Sequence, residues 1–188
     1  MTVTAETSTP TVTGDYTIDP AHSRIGFAAR HAMVATVRGQ FDEFDAVVHL
    51  DEEQPEKSTA EITIKTASLS SGNSDRDAHL SSPDFFDVEK YPTITFHSTS
   101  AERKDEDTYV LHGDLTIRDV TRPVSVEFEQ SGTAIDPWGN YRVGFEGKTT
   151  VSRKDWGLTW NMALEAGGVV VGDKVKLEFD IAAVRPLG

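Results

Sequence analysis

The sequence predicts an all-β protein: an extended antiparallel closed barrel of about eight strands, with one or two short helices inserted around residues 74–90. Three observations carry that expectation. Apolar and polar residues alternate with period two in at least seven separate segments, which gives each strand one apolar and one polar face. The segments are joined mostly by short polar turns, as in an antiparallel meander. Single glycines recur inside the strand patterns, at Gly26, Gly39, Gly113, Gly144 and Gly147, where a tightly coiled sheet has to bend.

The elements follow in chain order. Residues 1–14, rich in Thr and without an aromatic residue, offer little to bury and are expected to form a flexible tail; residues 15–188 then make one domain. In the first long strand Ile25, Phe27, Ala29, His31 and Met33 share a face. Phe44, Ala46, Val48 and Leu50 follow, then Ile62 and Ile64, then Ile94 and Phe96. Tyr109, Leu111, Gly113, Leu115 and Ile117 form the next series, and Val124, Val126 and Phe128 another. Tyr141, Val143, Phe145, Gly147, Thr149, Val151 and Arg153 precede the last, Val175 to Ala183.

Between Ser70 and Pro92 the alternation lapses. Ser74 with Asp77 three residues on has the pattern of a helix N-cap, Ser82-Pro83 offers a second start, and Pro92 ends the segment. Leu80, Phe85, Phe86 and Val88 in this insertion need an apolar surface, so it is expected to pack across one mouth of the barrel and to shift when a ligand enters. A second irregular stretch, 156–168, is expected at the opposite rim.

Composition excludes several functions. The net charge of −13 repels phosphodiester backbones and anionic membrane surfaces, so nucleic acid is not expected as a partner. Without cysteine there is no disulfide, thiolate site or thiol nucleophile. No apolar run is long enough for a membrane span or a signal-peptide core, so a cytoplasmic protein without stable membrane insertion is expected. Glycine loops with nucleotide-binding spacing are absent.

His49, His97 and His112 fall on polar faces. His79 either ties the insertion to the sheet or, with Asp77, approaches a metal-ligand grouping, and the structural role is the better supported. Asp19 and His22 form either a turn or an acid–base pair. His31 and Arg153 stand out because they continue apolar faces, where a polar side chain needs a partner or a ligand. They are the candidates for the polar end of a bound molecule. The candidate apolar lining comprises Phe27, Phe41, Phe44 and Phe96 with Ile117, Phe145 and Phe179 from the strands. Leu80, Phe85 and Phe86 come from the insertion, and Trp156, Trp160 and Met162 from the second irregular stretch. Small inward residues such as Ala29, Ala46 and Gly147 leave room between them, and an eight-stranded barrel can hold one small ligand.

The stretches IDPAHSRIGFAARH (18–31), VRGQFDEFDAVV (37–48), SLSSGNSDRDAHLSSPDFFDVEKYPTITF (68–96), HGDLTIRDVTRPVSVEF (112–128), SRKDWGL (152–158) and GDKVKLEFDIAA (172–183) together resemble the YceI-like family of lipid-binding proteins. The chain departs from the pattern at Asp119, where the resemblance implies a Gly. The resemblance implies a lipocalin-like barrel with a long internal pore that holds an isoprenoid chain, of quinone or polyprenyl phosphate type. Some relatives hold other long-chain lipids or amides, and many are exported. The function expected is therefore non-catalytic binding, storage or transport of an amphipathic isoprenoid lipid, with no cofactor or metal. The alternative is an enzyme acting on such a molecule with His31 as general base. A homodimer through an unpaired strand edge is a further expectation.

Overall fold

The computed structural model describes residues 10–188. Its elements are β1 (Gly14–Ile18), β2 (Arg24–His31), β3 (Ala35–Phe41), β4 (Phe44–Leu50), β5 (Thr59–Lys65), β6 (Leu69–Ser70), α1 (Ser74–Ser81), β7 (Thr93–Arg103), β8 (Thr108–Ile117), β9 (Val120–Ile135), β10 (Asn140–Ser152) and β11 (Val171–Pro186). All eleven strands join one sheet, and every ladder between them is antiparallel.

These strands make eight staves. β1 and β2 run along the same edge of β11, β3 and β4 continue one another beside them, and β5 and β6 continue beside those. The interruptions, at residues 19–23, 42–43 and 66–68, fall side by side. At the first, Pro20 has no N–H for a ladder and the Asp19 carboxylate accepts from the Ala21 N–H at 3.0 Å, closing a short 3-10 turn. Thr17↔Val184 and Ile18↔Ala183 close the barrel. The expected strand count and closure are both present.

One end of the barrel carries α1, the β2–β3 and β8–β9 turns and the 157–170 loop. The other carries the β4–β5, β7–β8 and β9–β10 turns. The Asp136-to-Asn140 hairpin tip forms as its residues predict: the Asp136 carboxylate accepts from the N–H groups of Trp138 (2.9 Å) and Asn140 (3.0 Å), with Gly139 at φ 80°.

Four details differ from the sequence-based expectation. The insertion holds one α-helix, capped one residue early by Asn73, whose side chain accepts from the Arg76 N–H at 3.0 Å. After it, Ser82-Pro83 starts turns, not a helix, with Phe85 and Asp87 both donating to the Ser82 carbonyl. The 157–170 loop lies at the same end as α1, because Trp160 packs edge-on against His79 (4.5 Å) and beside Phe85 (5.5 Å). Of the expected 1–14 tail, residues 1–9 lie outside the described residues, but Val12 packs against a cluster of Tyr16, Tyr141, Val143 and Ala183, and Gly14 opens β1. At the β8–β9 turn the left-handed residue is Arg118 (φ 58°), so Asp119 needs no glycine-like conformation.

Candidate functional site

Inward residues of the staves do not fill the bore. Three inward glycines lie beneath aromatic rings of neighbouring strands: Gly39 under Phe27, Gly113 under Phe96 and Gly147 under Phe128, where a Cβ would come within 2.5 Å of the ring. The rings lie down in these notches along the wall instead of meeting at the axis. The bore stays hollow as a result.

The main chamber has a volume of about 160 Å³ and reaches the α1 end. Phe27, Phe41, Phe96, Ile117 and Phe179 line it from the strands, Leu80, Phe85 and Phe86 from the insertion, and Trp156 from the turn after β10. Apolar cavities on the order of 150 Å³ stay dry and accept apolar guests. A second chamber of about 100 Å³ opens toward the other end, between the β4–β5 and β7–β8 turns, and includes Phe145. Ile62, Leu111 and Phe128 line both chambers and form a collar between them.

The insertion covers the main chamber because its polar residues anchor it. Arg76 donates from Nε to the Ser71 hydroxyl (2.9 Å) and from Nη2 to the Ser71 carbonyl (2.6 Å), while the Asp77 carboxylate accepts from the Ser71 N–H (2.8 Å). His79 pairs with Asp84 at 3.0 Å, so it ties the insertion together and meets Trp160. Beyond it the Thr66 hydroxyl, 1% exposed, donates to the Tyr91 carbonyl at 2.7 Å. At the wall, the β9–β10 ladder ends at Lys148↔Glu127. Trp156, buried, sits beside the resulting gap and donates Nε1–H to the Leu115 carbonyl at 2.9 Å.

Among the described residues, Arg153 is the one charged side chain lining the main chamber. It is 6% exposed, and its guanidinium is spent on the backbone. Nε donates to Gly172 (2.9 Å), Nη1 to Leu158 (2.6 Å) and Trp160 (2.9 Å), and Nη2 to Val171 (3.2 Å), with Asp173 at 3.6 Å. Burial pulls its pKa down, opposed by the Asp173 charge. The residue ends β10 in a 3-10 turn and does not continue the strand.

Other expected positions differ. His31 is exposed and lines neither chamber: its strand runs past the rim into the β2–β3 hairpin, and alternation reports the face of a strand but not its height along the barrel. Met162 is 58% exposed, because residues 161–170 fold back on themselves through the Ala163↔Val169 bridge and the Asn161–Val171 bonds. Phe44 is buried in the core and Trp160 packs partly buried against it, but neither lines a chamber. Asp19 and His22 belong to the 3-10 turn, where Asp19 accepts from Arg142 (2.8 Å) and pairs with His22 (2.8 Å). Of the rim residues of the second chamber, Glu52 and Gln130 escape the sequence patterns, while Tyr109 heads the alternating series of β8 but is not among the expected lining residues.

A family model described as the YceI-like domain matches residues 16–183. A UPF0312 protein of Azotobacter vinelandii is 39% identical over 146 residues, covering 77% of this chain and 76% of that one. Among solved structures, Burkholderia cenocepacia BcnA superposes with a TM-score of 0.77 at 23% identity, over 88% of this chain and 98% of the other. A polyisoprenoid binding domain from Saccharophagus degradans superposes with a TM-score of 0.65 at 13% identity, over 91% and 98%. Both share the fold.

Proposed function

This chain belongs to the YceI-like family, and we propose that its barrel binds the hydrocarbon chain of a long isoprenoid lipid and carries or stores it without chemical change. One observation carries this reading: the main chamber is lined by apolar side chains apart from Arg153, four of whose five N–H donors are bound to backbone carbonyls. A pocket of that kind rewards methylene and methyl groups, at about 0.8 kcal/mol per buried CH₂, and offers nothing to a polar substrate. The collar of Ile62, Leu111 and Phe128 suits a chain threaded from one chamber into the other. The insertion is the mobile cover through which the chain enters. The barrel with which a polyisoprenoid binding domain superposes is compatible with such a guest. An enzyme using His31 as general base loses its geometry, because His31 lies outside both chambers.

The test is a titration of delipidated protein with a C20 or longer prenyl chain, followed by tryptophan fluorescence, since Trp156 lines the chamber. Saturable one-to-one binding is expected. A linear, non-saturating response would overturn the proposal.

A further inference from the structure

We propose that the ledge formed by the β2–β3 turn and the 157–170 loop docks reversibly on the surface of a lipid bilayer and sets the α1-end mouth of the main chamber against it. The docking is a property of the outer surface. Its use, passing a chain between bilayer and barrel, rests on the lipid-binding reading above.

The two segments make one body. The Ala32 N–H donates to the Val170 carbonyl (2.7 Å), the Val170 N–H donates to the Met162 carbonyl (2.9 Å), and the Met33 sulfur rests over Gly168, where a Cβ would collide with it. The body projects, because β3 meets β6 only at Gln40 and Phe41 and residues 35–39 have β2 as their sole ladder partner among the described residues. Its outer side presents Met33 (64% exposed), Val34 (81%), Met162 and Val169 to solvent.

The turn is built against its own backbone preference. Ala32 and Met33 both take left-handed conformations, at φ 49° and 63°, where Asn and Gly are the residues that fit without strain. An apolar tip stands where turn chemistry favours small polar residues.

Shape and charge select the occupant. Four side chains on a projecting tip are too few for a stable protein pair, which takes about 20–30 residues a side, but such a tip can enter the boundary between headgroups and acyl chains. Although the chain carries a net charge of −13, residues 28–38 and 161–176 hold Arg30, Arg38, Lys174 and Lys176 against Glu165 and Asp173. Arg38 and Lys176 share Glu178 (3.3 and 3.6 Å), whereas Arg30 donates to the Thr36 hydroxyl (3.4 Å) and, like Lys174, is in no ion pair among the described residues. Those two charges stay available to lipid phosphates. The insertion beside the ledge is acidic, with five carboxylates to two cations over residues 71–92, so it is held off the headgroups and keeps its freedom to open. The other end of the barrel has its own apolar tip, Ile135 and Trp138, but residues 50–58 and 102–109 there carry eight carboxylates to three cations. An acidic bilayer therefore repels that end and orients the ledge toward itself.

The experiment floats the delipidated full chain with phosphatidylcholine vesicles, with and without phosphatidylglycerol, at low and high salt. Binding is expected to both, stronger with phosphatidylglycerol, and that advantage is expected to shrink as salt screens it. Met33→Asn with Val34→Ser is expected to weaken vesicle binding about tenfold or more. The same variant should keep or raise the thermal midpoint, since Asn suits the left-handed turn, and should still take up a long prenyl chain from solution. Arg30→Glu with Lys174→Glu is expected to remove the phosphatidylglycerol advantage, and Trp138→Ser to change nothing. A native protein that floats with neither vesicle, or a Met33→Asn, Val34→Ser variant that floats as the native does, overturns the inference while the lipid-binding reading stands. Self-association that the same variant abolishes, without vesicle binding, gives the ledge to a second copy and also overturns it. A native protein that floats as expected but takes up no prenyl chain upholds the docking and fails the lipid-binding reading.

Discussion

Arg153 donates from Nη1 to the carbonyl of Leu158 at 2.6 Å, so the turn that ends β10 closes around a buried positive charge. The same guanidinium holds Trp160, Val171 and Gly172, and so ties both ends of the 157–170 loop together at the α1 end of the main chamber.

Arg153→Met removes those donors and keeps much of the side-chain bulk. Carbonyls left buried without partners each cost about 1–3 kcal/mol, and the variant is expected to lose at least about 3 kcal/mol of stability in urea unfolding. An unchanged midpoint and slope would show that the loop does not depend on the clamp.

The Asp19–Arg142–Asp136 bridge predicts acid sensitivity. Arg142 donates to both carboxylates at 2.8 Å. The hydrogen bond from Arg142, then that from His22, holds Asp19 at about 2 against an ordinary 3.8. For Asp136 burial acts upward, but hydrogen bonds from Asn140 and Arg142 outweigh it and hold the group below its ordinary value. A depressed carboxylate contributes stability above its unfolded pKa and loses it as pH falls through the folded one. Stability is expected to be level above about pH 5 and to fall between about pH 4 and pH 2. Arg142→Met should flatten that fall, which pH-dependent thermal unfolding measures.

Two glycines under rings should respond differently to alanine. At Gly113 the new methyl meets Phe96 and also the His97 carbonyl oxygen at 2.6 Å, which is backbone and cannot swing away. Gly113→Ala is expected to cost about 1–3 kcal/mol by overpacking. At Gly39 the methyl meets only the far end of Phe27. Gly39→Ala is expected to fold with a smaller loss but weaker lipid binding, because the Phe27 ring is pushed into the bore. Equal destabilisation of the two variants, with lipid affinity unchanged, would contradict the notch geometry.

The insertion should exchange like a cover. No residue of α1 is fully buried, although Phe85 beyond it is 5% exposed. Amides of residues 80–88 are expected to exchange hydrogen faster than those of β8 to β11 in the empty protein and to slow on lipid loading. Protection equal to the strands and indifferent to lipid would remove the gate.

The barrel was legible in the sequence because its evidence is local: each stave carries its own alternation, and breaks such as Asp19-Pro20 carry turn residues. Much of the chamber lining was legible for the same reason, since Phe27, Phe96, Ile117 and Phe179 lie on apolar faces. What period two omits is height along the axis and what a side chain already holds. His31 shares the face of Phe27 yet stands beyond the rim, and Arg153 shares the face of Val151 yet spends its donors on carbonyls more than four residues distant in sequence. Met162 sits in a loop with no period. Tyr109 and Glu52 become neighbours only when the β4–β5 and β7–β8 turns meet at one mouth.

Uptake of a lipid chain by the internal channel is open to direct measurement. Native mass spectrometry of the purified full chain, before and after solvent extraction, measures it most directly. A discrete added mass that leaves on extraction and returns when a long prenyl alcohol is supplied is the predicted result. A single unliganded mass throughout, with no lipid recovered and none taken up, contradicts it.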